Sequence, residues 1–207
     1  MNPWKTVWLQ PRETIRSIAH SHPKKSLWIL CSIFGFAELM NFFQSLSLGL
    51  WLNAFGILLL AAVLCPFFGY GLIAIWSWLL FHVGRWLKGS GTFDTVRAAY
   101  AWSCVPLLWT IPIWIAILIL FQERLFVNTP QDPGLTTLGA SILFCLLITR
   151  LGLIVWALII YFNMLAEVHR FSVMRAIGTV IITGLIMGVA TGVLWVGVIF
   201  WITGVTA

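Results

Sequence analysis

Residues 50–86 form the longest apolar stretch of the chain and contain few polar side chains. A helix rises about 1.5 Å per residue, so these 37 residues would extend about 55 Å as one helix. The hydrocarbon core of a bilayer is only about 30 Å thick. The stretch therefore either crosses a membrane once, as an over-long helix kinked at Pro66, or crosses it twice.

The composition of the whole chain is that of a membrane protein. Of its 207 residues, 61% are hydrophobic and 9% are charged, whereas soluble domains carry about 25% charged residues. Such a chain has too few charged side chains to cover a surface that faces water. We therefore predict an all-α, polytopic membrane bundle, held together by close packing of small residues and by interhelical hydrogen bonds.

The distribution of lysine and arginine decides between the two topologies. If residues 50–86 cross once, ten of these side chains lie on the side of the N-terminus and only Arg124 lies on the other side. Two crossings would give six against five. Because cytoplasmic loops carry an excess of basic residues, we predict a single crossing, with the N-terminus in the cytoplasm and the C-terminus outside. The ten basic residues are Lys5, Arg12, Arg16, Lys24, Lys25, Arg85, Lys88, Arg97, Arg170 and Arg175.

Five transmembrane helices follow from this topology, preceded by a short N-terminal segment. The predicted spans are residues 26–45, 50–86, 98–121, 138–162 and 173–201.

Residues 1–25 carry apolar side chains at helical spacing. The two groups are Trp4, Val7 and Trp8, and then Ile15, Ile18 and Ala19. This pattern predicts an amphipathic helix on the membrane surface, with its basic residues toward anionic head groups. The alternative is a disordered tail. The segment has no apolar core of the kind found in signal peptides, so no cleavage is expected.

A charged turn rich in glycine joins the second and third spans. Gly89 and Gly91 are suited to positive φ values, which would let the chain end one helix and reverse direction. Thr92 or Asp94 is a suitable N-cap for the helix that follows.

Two prolines, Pro106 and Pro112, interrupt the third span. Each removes an internal hydrogen bond, so we predict that this helix is kinked or locally unwound. Such breaks line binding sites in some transporters, and they are also frequent in purely structural spans.

Two ionisable side chains lie deep within predicted spans, Glu38 in the first and Arg150 in the fourth. Asn41 follows Glu38 on nearly the same helical face. Because an isolated charge inside a bilayer is unfavourable, we predict that Glu38 and Arg150 pair. Such a pair would fix the register of two spans, or it would couple the movement of a proton or ion.

Six polar residues fall at the predicted cytoplasmic end of the bundle. They are His82, Asp94, Arg97, Glu167, His169 and Arg170. A salt-bridge network or a metal site would suit these residue types, but their spacing matches no zinc signature. Phosphate-loop and nucleophile-elbow motifs are absent from the sequence. We therefore expect no catalytic residue, no cofactor and no metal.

The fifth span contains Gly184, Gly188 and Gly192 at four-residue steps. This stripe lets another helix backbone approach closely. We predict that it packs within the same chain; the alternative is a seam between two copies. Nucleic acid is not an expected partner, because no basic stripe with interleaved aromatic residues lies outside the spans.

Four stretches of the sequence resemble the Yip (Ypt-interacting protein) membrane family, particularly its short bacterial members. They are Trp4 with residues 11–14 (PRET), residues 84–93 (GRWLKGSGTF), residues 101–106 (AWSCVP), and residues 167–172 (EVHRFS) followed by Arg175 and Ala176.

The resemblance implies five spans, a cytoplasmic N-terminus and a role in membrane organisation. Eukaryotic members bind Rab-type GTPases, but their Asp-Leu-Tyr-Gly-Pro motif is missing here, so a GTPase partner is not expected. We predict a non-enzymatic protein of a bacterial inner membrane that contacts the lipid bilayer and a protein partner at its cytoplasmic face. The alternative is a small transporter or channel that uses the broken third span, Glu38 and Arg150.

Overall fold

The computed structural model describes residues 2–21, 24, 26–127 and 136–204. These residues form helices and no strand. The α-helices are α1 (Pro3–Thr6), α2 (Pro11–Ser21), α3 (Leu27–Ser45), α4 (Ala54–Trp86), α5 (Phe93–Ser103), α6 (Thr110–Phe121), α7 (Thr137–His169) and α8 (Val173–Gly204). Short 3₁₀ helices occupy Leu48–Leu50, Val105–Trp109 and Gln122–Phe126.

Five segments of the described chain are long and apolar enough to cross a membrane. They are α3, α4, the run Phe93–Phe126 that contains α5 and α6, α7, and α8. This agrees with the predicted all-α bundle of five transmembrane helices. Part of the loop between the third and fourth spans, residues 128–135, lies outside the described residues.

The long apolar stretch is a single helix, α4, as the charge distribution predicted. Pro66 lies inside this helix without ending it. A proline has no N–H, so the carbonyl of Ala62 loses its usual helical donor. The thiol of Cys65 donates a hydrogen bond to that carbonyl at 3.3 Å, which helps to satisfy it.

Helices α3 and α4 meet at two glycines, Gly35 and Gly69. A Cβ atom on Gly35 would lie 2.7 Å from the backbone nitrogen of Gly69, and one on Gly69 would lie 2.8 Å from that of Gly35. Real Cβ atoms do not approach other atoms so closely, so the two backbones touch only because both residues lack a side chain. Helices α3 and α4 also make the most extensive contact of any two helices in the described chain.

The glycine stripe of the fifth span does not pack in this way. A Cβ atom on Gly184, Gly188 or Gly192 would meet no other atom within 4 Å among the described residues. The prediction that this stripe packs within the chain is therefore wrong. Spacing identified a glycine face, but it did not show which glycine face meets another helix. A seam between two copies stays a prediction.

The third span is broken where the sequence predicted. Helix α5 ends at Ser103, a 3₁₀ helix follows over Val105–Trp109, and α6 begins at Thr110. Pro106 lies in the first turn of the 3₁₀ helix. Pro112 is the third residue of α6, a position whose N–H has no partner within the helix, so it causes no second break.

The N-terminal helices pack on the bundle. Val7, Ile15 and Ile18 are buried, in one apolar cluster with residues of α3, α4, α5 and α7. The ring of Trp4 makes an edge contact with Trp102 of α5, with 5.2 Å between centroids. The predicted amphipathic helix is thus present, but its apolar face covers protein instead of lipid. The prediction of a helix lying on the membrane surface needs correction in this respect.

We expect Gly69→Ala to destabilise the bundle by about 1–3 kcal/mol, because the added methyl group forces α3 and α4 apart. Gly71→Ala is the matched control, since a Cβ atom at Gly71 meets nothing within 4 Å and alanine is a better helix former than glycine. Unfolding of both purified variants in the same detergent measures the difference. Equal stability of the two variants would contradict the backbone contact described above.

Candidate functional site

Polar side chains gather around a cavity of about 210 Å³ between α3, α5 and α7. Glu38, Asn41 and Arg150, the three intramembrane candidates, all line it. Glu38 and Asn41 face the cavity together because they lie three residues apart on α3. The three residues that the sequence singled out on two distant spans therefore lie at one cavity.

Arg150 of α7 is held by two contacts. Its guanidinium donates a hydrogen bond to Oδ1 of Asn41 on α3, and it lies over the ring of Trp114, 4.4 Å from the centroid. Both contacts suit a cation that has left water, because the first supplies an acceptor and the second supplies the negative face of an aromatic ring.

Glu38 and Arg150 do not form the predicted direct pair. The ion pairs found among the described residues are Arg16 with Glu167 and Arg97 with Asp94, so the two intramembrane charges do not meet within 4.0 Å. Asn41, one turn after Glu38 on α3, supplies the acceptor for Arg150 instead. Asn41 thus links α3 to α7, and it does more than the sequence alone suggested.

Tyr161 is a residue of this cavity that sequence reasoning missed. Its side chain is buried, and its hydroxyl group has no hydrogen-bond partner among the described residues. The available signal was a lone tyrosine in the apolar fourth span, 11 residues after Arg150 and so on the same side of α7. The cavity therefore offers a carboxyl group, a guanidinium, an amide and a phenol within apolar walls.

The six residues predicted to lie at one end of the bundle do not form one network. Those described below contact different partners. Asp94 pairs with Arg97 at 2.6 Å within α5. Glu167 pairs with Arg16 of α2 at 2.7 Å. Nδ1 of His82 lies 2.8 Å from the carbonyl oxygen of Trp78 on its own helix. The described residues contain no group of three histidine, cysteine, aspartate or glutamate side chains that could hold a metal ion.

His169, the last residue of α7, explains the glycine-rich turn. Its imidazole is buried, and Cβ atoms on Gly84, Gly89 or Gly91 would each come within 3.0 Å of a ring atom. The backbone N–H of Gly91 donates to Nδ1 at 3.3 Å. The backbone N–H of Ser90 donates to the carbonyl oxygen of His169 at 3.2 Å. The three glycines therefore form a socket for one imidazole ring.

This socket corrects the role predicted for Gly89 and Gly91. Neither has a positive φ in the left-handed region; the residue that does is Lys88, with φ of 65°. The glycines are needed because the imidazole of His169 lies so close to their backbone. The chain reverses at Lys88, the residue before Gly89. Thr92 caps α5, as predicted, because its hydroxyl accepts from the backbone N–H of Thr95 at 3.4 Å.

Five spans, with an N-terminal helix docked beside the polar turns, define an integral, multi-pass membrane protein. The family model described as the Yip1 domain matches residues 5–204 of the chain. The chain belongs to this family, and the resemblance seen in its sequence is confirmed. No curated protein and no solved structure matches the chain.

We expect Gly84→Ala and His169→Ala each to destabilise the protein, the first by a clash and the second by leaving the socket empty. The double variant should lose less stability than the two single variants together, by about 1 kcal/mol or more. The reason is that the clash at Gly84 occurs only when the imidazole is present. Unfolding of the two single variants and the double variant measures this coupling. Strict additivity would show that glycine and histidine do not interact.

We expect Asn41→Ala to destabilise the bundle by about 1–2 kcal/mol, because Arg150 loses its interhelical acceptor. Ser32→Ala is the control on the same helix, since the hydroxyl of Ser32 donates to the carbonyl oxygen of Trp28 one turn away on α3. Thermal unfolding in one detergent compares the two variants. If Ser32→Ala proves as harmful as Asn41→Ala, the link through Asn41 contributes no specific stability.

Proposed function

We propose that this protein is a non-enzymatic organiser of membrane-bound protein assemblies, and that it works through its arginine-rich end. We define the arginine-rich end as α2, the turn at residues 87–92 and the turn at residues 170–172. The observation that supports this proposal is the docking of α2 beside the two turns, which makes one surface from three distant parts of the chain.

The surface is held in place by contacts on both faces of α2. Ile15 and Ile18 are buried against the bundle, while Arg16 pairs with Glu167 and Nε of Arg12 donates to Oδ1 of Asn163 at 3.1 Å. A surface that is already ordered loses little conformational entropy when a partner binds. This favours a role as a docking face.

The charge of the surface indicates which side of the membrane it faces and which partners suit it. Arg12, Arg16, Lys88, Arg170 and the nearby Arg175 are all exposed. By the positive-inside rule, this charge favours a cytoplasmic location for such an end. An exposed basic face favours association with acidic partners and with the anionic cytoplasmic leaflet.

A small transporter or channel is the second candidate function. The observation that favours it is the cavity beside Glu38 and Arg150. This cavity also contains the Tyr161 hydroxyl, which has no hydrogen-bond partner among the described residues. Transport would need this cavity to open alternately to the two sides of the membrane.

Site-specific photo-cross-linking in native membranes tests the organising role. A benzophenone amino acid at Ser17 or Lys88, two exposed positions of the arginine-rich end, should give the same discrete protein adduct. The probe at Phe144, which is 65% exposed on the apolar surface of α7, is the matched control and should give no such adduct.

Two results together would contradict the proposal. They are the absence of an adduct specific to Ser17 and Lys88, and ion flux through proteoliposomes that contain the purified protein. Point probes are preferable to deletion of residues 1–20, because that deletion would uncover the apolar residues beneath α2.

A further inference from the structure

The arginine-rich end contains a second, larger cavity. It has a volume of about 800 Å³ and lies between α2, the turn at residues 90–92 and the turn after α7. Arg12, Arg16 and Arg170 line it, together with the hydroxyl-bearing residues Ser90, Thr92 and Thr95. The sequence did not predict that these arginines and hydroxyl groups line one cavity.

We propose that this cavity binds a phosphate-bearing anion, as found in the head group of an anionic phospholipid. The inference deepens the proposed function, and it rests on that function in placing this end at the cytoplasmic leaflet. It names a ligand class for a surface that was so far assigned only a docking role.

The charge of the lining supports an anionic ligand. Three arginines line the cavity against one acid, Glu167, so the formal charge of the lining is 3 − 1 = +2. Glu167 already pairs with Arg16 at 2.7 Å. The described hydrogen bond of Arg12 uses its Nε atom, and its terminal nitrogens make no hydrogen bond to another described residue. Arginine is well suited to phosphate because its planar fork donates two parallel hydrogen bonds.

The backbone fixes one wall of the cavity in position. Ser90, Gly91 and Thr92 lie in this wall, directly before α5 begins at Phe93. The N–H groups of Ser90 and Gly91 donate to His169, and the N–H of Thr92 donates to the hydroxyl of Thr95. The anion would therefore be bound by side chains, on a wall that is already ordered.

Arg170 occupies its place in the cavity in an unfavourable backbone conformation. It ends α7 with φ of 56° and ψ of 42°, the left-handed region in which glycine or asparagine is usual. A residue other than these is strained there. An arginine at this position is consistent with a side chain that is needed at the cavity.

The apolar part of the lining favours a lipid head group over free phosphate. Ala19, Val168 and Phe171, which are partly exposed, line the same cavity as the arginines. A lipid offers both a charged phosphodiester and an apolar region next to it, and so it matches both kinds of wall. The volume lies within the range of sites for small organic molecules.

Native mass spectrometry of the purified full-length chain tests the inference. The protein is loaded with phosphatidylglycerol or with phosphatidylcholine of the same acyl chains. We expect preferential retention of phosphatidylglycerol, and we expect the double variant Arg12→Gln/Arg170→Gln to reduce its affinity about tenfold or more. Arg175→Gln, an exposed arginine outside the cavity lining, is the matched control and should retain the lipid as the unmodified chain does.

A second measurement separates the two sources of phosphate. Inorganic phosphate at millimolar concentration is added to the lipid-free protein while thermal unfolding is followed. Stabilisation that disappears in the double variant would identify a soluble phosphate compound as the ligand. Retention of phosphatidylglycerol without this stabilisation would identify the lipid.

The inference is overturned if both lipids are retained equally and phosphate has no effect, or if Arg175→Gln weakens binding as much as the double variant does. Arg12→Lys/Arg170→Lys keeps the charge and should preserve most of the binding. This lysine variant therefore shows whether a loss of binding in the glutamine variant reflects misfolding. Size-exclusion chromatography detects misfolding as well. Cross-linking at Ser17 reads out the protein partner independently, so failure of the lipid site and failure of the organising role can be told apart.

Discussion

Close contact between the backbones of α3 and α4 is the interaction on which the rest of the bundle depends. Within lipid, burying an apolar side chain against another helix gains little, because the acyl chains are equally apolar. Stability must come from van der Waals contact and hydrogen bonds, and Gly35 with Gly69 lets the backbones of α3 and α4 touch. The paired helices then offer the surface on which α5, α6 and the N-terminal helices pack.

A second close contact organises the polar end. His169 enters a socket of three glycines, so the end of α7 is fastened to the turn between α4 and α5. The same turn supplies one wall of the cavity lined by arginines, and Arg170 follows directly after the socket. The packing of the buried imidazole of His169 therefore helps to position the turn at residues 90–92 and Arg170 around the cavity lined by arginines.

The sequence predicted those features that follow from composition or from a missing atom. The spans came from apolar runs, and the break at Pro106 came from an absent N–H. Features that depend on which faces meet were not predictable. Spacing pointed to the glycines of α8, whereas Gly35 and Gly69 make the contact. Amphipathicity of α2 was evident, but sequence could not show whether protein or lipid covers its apolar face. At the candidate site, the charges were found while the linking role of Asn41 was not.

The lengths of α4 and α7 have a mechanical consequence. Each has 33 residues and so extends about 50 Å, well beyond about 30 Å of hydrocarbon. Helices with such excess length respond to a change in bilayer thickness by tilting. Because α2 is fastened to α7 by Arg16 and Glu167, we expect the arginine-rich end to follow that tilt as a unit. The thickness of the surrounding membrane would then set the angle between this surface and the bilayer.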